Sequence, residues 1–299
     1  MEFRQLKTFV ATVKHLSFTK TANDLGYAQS TISNQIQSLE EELGTMLFER
    51  LGKQIKLTKD GEHLYTYANQ ILKLSAEAKD IISSSLNPKG SIIVGTPESL
   101  CTHRLSDVFK TFRSRYPNVE ITIRLDTCSD YRTHLRKNTT DIIFLLDVPF
   151  NENDLVTHML FEEPMAVIVA PNHPLAKKDQ VTPYDINGQA LVLTDSGCSY
   201  RRVFESILIQ AGVKPTTILE FSSNEVIKKF VCDGWGIGFQ PYVTVSQELI
   251  SKQLIALPWV GPAFDIKAKM IYHKEKWLSP ALQAFIDVAL KTLKCTPDF

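Results

Sequence analysis

Ser30, Thr31, Asn34, Gln37 and Ser38 are hydroxyl or amide residues, and each can both donate and accept hydrogen bonds. On a 3.6-residue helix, Ser30, Asn34, Gln37 and Glu41 share a face, with Thr31 and Ser38 at its edges. The first half of that face is small, polar and uncharged. This suits the donor and acceptor pattern of base edges in the DNA major groove, whereas a merely solvated face carries more Lys and Glu. The opposite face presents Ile32, Ile36, Leu39 and Leu43, a stripe for burial. A break at Leu25-Gly26-Tyr27 separates this helix from a shorter one beginning at Phe18, which gives the helix-turn-helix arrangement with the second helix as reader. The plainer alternative is a helical hairpin with a polar outer face.

The surrounding elements must hold that helix against a duplex. A first helix, Phe3 to Lys14, puts Leu6, Phe9, Val10 and Val13 on one side, as packing beneath the pair requires. Ser17 stands where an N-cap belongs, and Leu43-Gly44 reads as a helix C-terminus. Beyond Leu47-Phe48-Glu49-Arg50, the run Gly52 to Thr58 alternates apolar and polar residues and reads as a small hairpin. Arg50, Lys53, Lys56 and Lys59 give it a basic rim suited to phosphates. Residues 1–65 hold eight Lys or Arg against eight Asp or Glu, and the whole chain balances at 33 against 33. DNA affinity must therefore come from placed contacts rather than from a long-range basic field.

A second chemistry is spread over the C-terminal two thirds. Strand-like runs at 91–95, 119–123, 142–146, 166–170, 190–193 and 217–221 alternate with helical ones, which predicts α/β organisation with parallel sheets. Four hydroxyl-rich turns follow such strands: Thr96-Pro97-Glu98-Ser99, Asp126-Thr127-Cys128-Ser129, Thr194 through Ser199, and Ser222-Ser223-Asn224. Strand ends of this kind, with helix N-termini aimed at them, suit a small polar, anionic metabolite. Thr96, Ser99, Thr127, Ser196, Cys198, Ser199, Tyr200, Arg201 and Ser222 are the candidate contacts, Arg201 as an added charge. Taken singly, each turn reads equally well as a plain N-cap. Gly236 and Gly238 read as a close-approach turn, or as strand-on-helix packing.

Between the two regions, Leu64, Tyr67, Ile71, Leu74, Ala78 and Ile81 form a heptad seam on a helix from about Asp60 to Leu86, which predicts a dimer through that helix. Asn87-Pro88-Lys89-Gly90 then breaks the chain. The 299 residues, 43% hydrophobic, exceed one typical domain. No run approaches a membrane span and MEFRQLKTF lacks a secretory signal, so a cytoplasmic protein without a membrane partner is expected. Five scattered cysteines and seven scattered histidines offer no disulfide framework and no metal site, and no cofactor is expected. Without GxSxG, a Gly-rich phosphate loop or metal spacing, no catalytic residues can be named. A solute-binding or small catalytic α/β protein is the remote alternative.

The run from Phe3 to Gly61 resembles the winged helix-turn-helix of LysR-type transcriptional regulators. The matches are Phe9, Ser17-Phe18-Thr19, Ala22, Leu25, Gln29-Ser30, Ser33, Gln35-Ile36, Leu39-Glu40, Leu43-Gly44, Leu47-Phe48, Arg50, Leu57-Thr58 and Gly61-Glu62. Thr21, Ala28 and Thr31-Ile32 depart mildly. Further on, Arg115-Tyr116-Pro117-Asn118-Val119, Pro171-Asn172-His173-Pro174-Leu175 and Gly234 through Pro241 resemble that family's periplasmic-binding-protein-like effector domain. The resemblance implies a DNA-binding domain over 1–59, a linker and dimerisation helix over 60–87, and an effector-binding domain over 91–299. That last domain would have subdomain I at 91–161 and 268–299 and subdomain II at 162–267. It also implies Gln29, Ser30, Thr31, Ser33, Asn34 and Gln37 as DNA contacts with Arg50, Lys53 and Lys56, two dimers forming a tetramer on operator DNA, and RNA polymerase as a partner. Some members sense peroxide through a cysteine pair, which makes a redox response through Cys198 an alternative. No second cysteine lies nearer to it than Cys232.

Overall fold

The computed structural model describes residues 1–51, 54–82, 88–125, 128–149 and 152–294, with the side chains of residues 50, 51, 54, 77–82, 128, 129 and 294 left undescribed. The chain forms two compact units, residues 1–85 and 86–299.

In the first unit, α1 (Phe3–His15), α2 (Phe18–Leu25) and α3 (Gln29–Leu43) are followed by strands β1 (Phe48–Leu51) and β2 (Gln54–Leu57) and by α4 (Lys59–Ile82). Ser17 caps α2 by accepting from the Lys20 N–H at 3.3 Å. Gly26 and Gly44 end α2 and α3 in the left-handed conformation that glycine adopts without strain. The apolar stripes of α1 and α3 meet around Phe48: Leu6, Phe9, Ile32, Ile36 and Leu39 are all buried. The Phe48 ring lies 5.5 Å from Phe9 and 6.1 Å from Phe18. Leu43, expected in this stripe, is 41% exposed instead, at the last helical position before α3 ends at Gly44. The hairpin pairs β1 antiparallel to β2, with Phe48 opposite Leu57 and Arg50 opposite Ile55.

The predicted seam on α4 divides. Leu64, Ala68 and Ile71 pack into the core of their own unit, where α4 lies on α1, while Tyr67 and Leu74 face outward, 63% and 55% exposed. One edge of the stripe is thus spent internally, and only the other is open to a partner helix. The Ala78 and Ile81 side chains lie outside the described residues.

The second unit begins with β3 (Gly90–Gly95), α5 (Glu98–His103), α6 (Ser106–Arg115), β4 (Val119–Arg124), α7 (Cys128–Arg136), β5 (Ile142–Asp147) and β6 (Leu155–Glu162). It continues through β7 (Met165–Val169), β8 (Ala190–Leu193), α8 (Ser199–Gln210), β9 (Thr217–Glu220), α9 (Asn224–Cys232), β10 (Ile237–Pro241), α10 (Tyr242–Ile250) and β11 (Ile255–Ala256). β12 (Lys267–His273) and α11 (Pro280–Lys294) complete it. Two five-stranded sheets result, ordered β4-β3-β5-β12-β6 in lobe I and β11-β7-β10-β8-β9 in lobe II.

The sheets are mixed, not parallel as the sequence suggested. β3 runs parallel to β4 and β5, and β8 parallel to β9 and β10. The segments around the crossings between lobes add antiparallel strands: β12 beside β5 and β6, and β7 beside β10 and β11. At the crossings the Glu163 N–H donates to the Ile266 carbonyl at 2.9 Å, so the outgoing and returning chains are tied to each other. Gly238 lies within β10, where a Cβ would come within 2.9 Å of both Ile168 and Val231, so its role is close packing of strand on strand and helix. Apolar packing is continuous from Phe112, Phe144 and Phe285 in lobe I to Phe204 and Phe239 in lobe II.

Candidate functional site

Two regions gather the residues singled out above. On α3, Gln29, Ser30, Asn34 and Gln37 are exposed, and Thr31 and Ser33 are half-buried. The Ser30 and Asn34 side chains make no hydrogen bond among the described residues. Gln37 is engaged, its amide donating to Glu41 one turn on at 2.8 Å. Beneath them, Gln35 accepts from the buried Thr8 hydroxyl at 2.5 Å, which pins α3 to α1. Glu40 is buried as well, and its carboxylate accepts from the backbone N–H groups of Leu47 (2.7 Å) and Phe48 (3.2 Å). That contact fixes where the hairpin leaves the helix. Its trace in the sequence is the Leu39-Glu40 match, which carries no sign of the two backbone partners seven and eight residues on. Lys56 is exposed on β2, opposite Glu49. Lys53 and the Arg50 side chain lie outside the described residues.

The second region lies where the carboxyl ends of the two sheets meet. The turn after β3 reaches the start of α9, since Glu98 accepts from the Asn224 N–H at 2.8 Å and from the Ser223 hydroxyl at 3.4 Å. Asn224 is also bonded by the Tyr200 hydroxyl at its Oδ1 (3.3 Å) and by Gln240 at its carbonyl (3.4 Å). For three of the four turns the plain N-cap reading is not what is found: Pro97, Cys198 and Ser223 sit at the cap positions of α5, α8 and α9, and none supplies a side-chain cap, while the cap position of α7 lies outside the described residues. Thr96 and Ser99 are buried in lobe I. Ser99 Oγ and the buried Thr194 Oγ1 have no hydrogen-bond partner among the described residues. Such orphaned hydroxyls are uncommon in a folded chain and point to a ligand or ordered water. Ser196 and Ser222 are exposed, Ser199 is buried and accepts from Arg202 at 3.3 Å, and Cys198 belongs to the apolar core. Thr127 lies outside the described residues.

Arg201 is the clearest departure. Its guanidinium donates to Glu205 (2.9 Å), Glu220 (2.6 Å) and the Thr194 carbonyl. Burial works against its charge, but the bonds to Glu220 and Glu205 outweigh that and lift its pKa, while Arg201 in turn holds the Glu220 carboxyl below its usual range. Its guanidinium is thus engaged by two carboxylates and a backbone carbonyl. At the hinge, Arg104 and Glu163 form a buried, two-pronged ion pair (3.0 and 2.8 Å), with the guanidinium 5.1 Å above Phe161.

A buried stripe beneath an open polar helix face, a two-stranded wing, and a two-lobed α/β unit with buried, unsatisfied hydroxyls after its strands point to a DNA-binding regulator with a ligand-responsive domain. Comparison makes the class specific. Residues 3–62 match the model of the bacterial regulatory helix-turn-helix protein, lysR family, and residues 86–294 match the LysR substrate binding domain. The chain is 39% identical to the uncharacterized HTH-type transcriptional regulator YwqM of Bacillus subtilis, over 98% of this chain and all of that protein. It is 32% identical to the transcriptional dual regulator GltC of the same organism, over 97% of each. Among solved structures, full-length CbnR complexed with its target DNA superposes with a TM-score of 0.73 at 20% identity, covering 98% of this chain and all of that one. The chain belongs to the LysR family: it is a DNA-binding transcriptional regulator with an effector-binding domain, and not an enzyme.

Proposed function

We propose that the protein reads its operator with Gln29, Ser30, Thr31, Ser33, Asn34 and Gln37, that Arg50, Lys53 and Lys56 contact phosphates, and that a small anionic metabolite at the lobe junction controls it. The observation that carries the first part is the polar face of α3, on which Ser30 and Asn34 are exposed and unbonded among the described residues, above a fully buried Ile32, Ile36 and Leu39. The second part rests on the buried hydroxyls of Ser99 and Thr194 beside helix starts that no side chain of their own caps. Ser196, Ser199, Ser222 and Thr127 complete the proposed pocket. Arg201 is left out because Glu205, Glu220 and the Thr194 carbonyl already engage its guanidinium.

Outward-facing Tyr67 and Leu74 on α4 support a dimer through this helix, and two dimers form the tetramer on DNA. CbnR, of the same fold, is seen on target DNA, which supports duplex DNA as the partner. No helix among the described residues is long and apolar enough to cross a membrane. The protein works beside its operator in the cytoplasm, in contact with RNA polymerase. Genomic footprinting of bound sites tests the reading, followed by induction with metabolites handled by the neighbouring genes. Ser99→Ala with Ser196→Ala should abolish the response and leave effector-free DNA binding intact. A response undiminished by both changes would overturn the pocket.

A further inference from the structure

Glu98 does something that neither its place in the sequence nor the proposed pocket accounts for. It stands at the first position of α5 in lobe I, yet its carboxylate serves as the missing cap of α9 in lobe II. One oxygen accepts from the Asn224 N–H at 2.8 Å and the other from the Ser223 hydroxyl at 3.4 Å. The cap residue Ser223 gives α9 no side-chain cap of its own. The start of a helix carries unsatisfied N–H groups and a partial positive charge, and a carboxylate meets both requirements. Asn224 is rigidly held for this role, since it is buried and bonded by Tyr200 and Gln240. Next in the chain to Glu98 is Ser99, whose buried hydroxyl has no partner among the described residues. Residues 98 and 99 of lobe I thus carry an internal carboxylate that is bound and a buried hydroxyl with no partner among the described residues.

We propose that Glu98 is a strap between the lobes: its carboxylate fills the anion position at the start of α9 and holds the junction closed until a free oxyanion takes its place. The strap itself is read from the contact. Its displacement rests on the lobe junction being the effector site. The consequence for ligand choice is specific. An effector must bring an anionic group to replace the one it evicts, plus an oxygen that can accept from Ser99. An uncharged effector would leave the α9 amides bare and bind poorly.

Chemical rescue in the full-length protein tests this, with acetate as the probe. In the wild type, amide hydrogen exchange across the first turn of α9 should be slow and indifferent to acetate. In Glu98→Ala it should quicken about tenfold, the factor for losing one hydrogen bond of roughly 1.4 kcal/mol. Acetate, but not chloride at equal ionic strength, should then slow it again. Glu98→Gln keeps the shape without the charge and should show the same effects in smaller measure if the alanine variant does not fold. Unchanged exchange in a folded variant, or equal effects of acetate and chloride, would overturn the strap. Acetate rescue in a protein that answers to no anionic metabolite would count against the effector reading and leave the strap supported.

Discussion

The start of α3 and the start of α8 look alike in the sequence. One reads Gln29-Ser30-Thr31 and the other Ser199-Tyr200-Arg201, and both are short polar runs ahead of an amphipathic helix. In the structure they are opposites. On the reading face of α3, Ser30 and Asn34 are exposed with no partner among the described residues, and Gln37 bonds to Glu41 one turn on. Those of α8 are buried and largely spoken for: Tyr200 by Asn224, Arg201 by Glu205 and Glu220, Ser199 by Arg202. Polarity in a sequence says that a group needs partners. It does not say whether the chain supplies them. The helix whose groups are left over is the one built to meet another molecule, and the helix whose groups are spent is built to be held in place.

If the second unit works through committed charges, removing one should cost the most. Glu163→Ala takes the carboxylate from a guanidinium that is only 9% exposed, at the point where the chain crosses between lobes. Breaking a buried pair of this kind typically costs about 3–5 kcal/mol. Trp235, Trp259 and Trp277 all belong to residues 86–299, so tryptophan fluorescence in urea follows that unit alone. A midpoint equal to wild type would mean that Arg104 is not anchored by this carboxylate. Next in size, Tyr67→Lys with Leu74→Lys places two charges on the outward edge of α4. Burying them in a partner contact should cost on the order of 3 kcal/mol, more than a hundredfold in the dimer dissociation constant. Since neither residue is in the core, the helical signal of the monomer should be unchanged. Sedimentation showing the wild-type mass would place the dimer contact elsewhere.

These two regions also differ in how far they can be read from the sequence. Burial of Ile32, Ile36 and Leu39 follows from local periodicity, which one helix settles by itself. Leu43 fails for a local reason, lying at the last helical position before Gly44 ends α3. The α4 seam was ambiguous in principle, because an edge that packs on α1 and an edge that awaits a partner share one period. Lobe pairings were beyond reach: Glu98 and Asn224 are 126 residues apart, and Arg104 and Glu163 are 59 apart. The antiparallel strands that make both sheets mixed are likewise settled by long-range register. Sequence showed which turns were polar but not that Arg201 had already been claimed.

The uncommitted face of α3 should show effects of intermediate size and of two kinds. Asn34→Ala removes an exposed amide that makes no hydrogen bond among the described residues, so folding should be untouched. Binding should weaken by about 1–3 kcal/mol and preference should relax at one operator position. Lys56→Ala should weaken all sequences alike and lower the salt slope by about one. Fluorescence anisotropy against the footprinted operator and against scrambled duplex, over a salt series, separates them. A uniform loss from Asn34→Ala would make it a phosphate contact.

The smallest effect lies at the one place where the two modes meet. Gln37 is on the reading face, yet its amide is already given to Glu41 at 2.8 Å. A solvent-exposed pair one turn apart is worth about 0.2–0.5 kcal/mol, so the amide is lightly held and can be turned to a base at that cost. Glu41→Ala releases it and also removes a negative charge near the DNA phosphates, and both changes favour binding. The two contributions separate in a double-mutant cycle. With Gln37 present, Glu41→Ala should gain the charge effect plus the freed amide; in a Gln37→Ala background, only the charge effect should remain. A coupling of about 0.2–0.5 kcal/mol, insensitive to salt, is expected between the two. A coupling of zero would mean that Gln37 belongs with the committed side chains of α8 and that the reading face ends at Asn34.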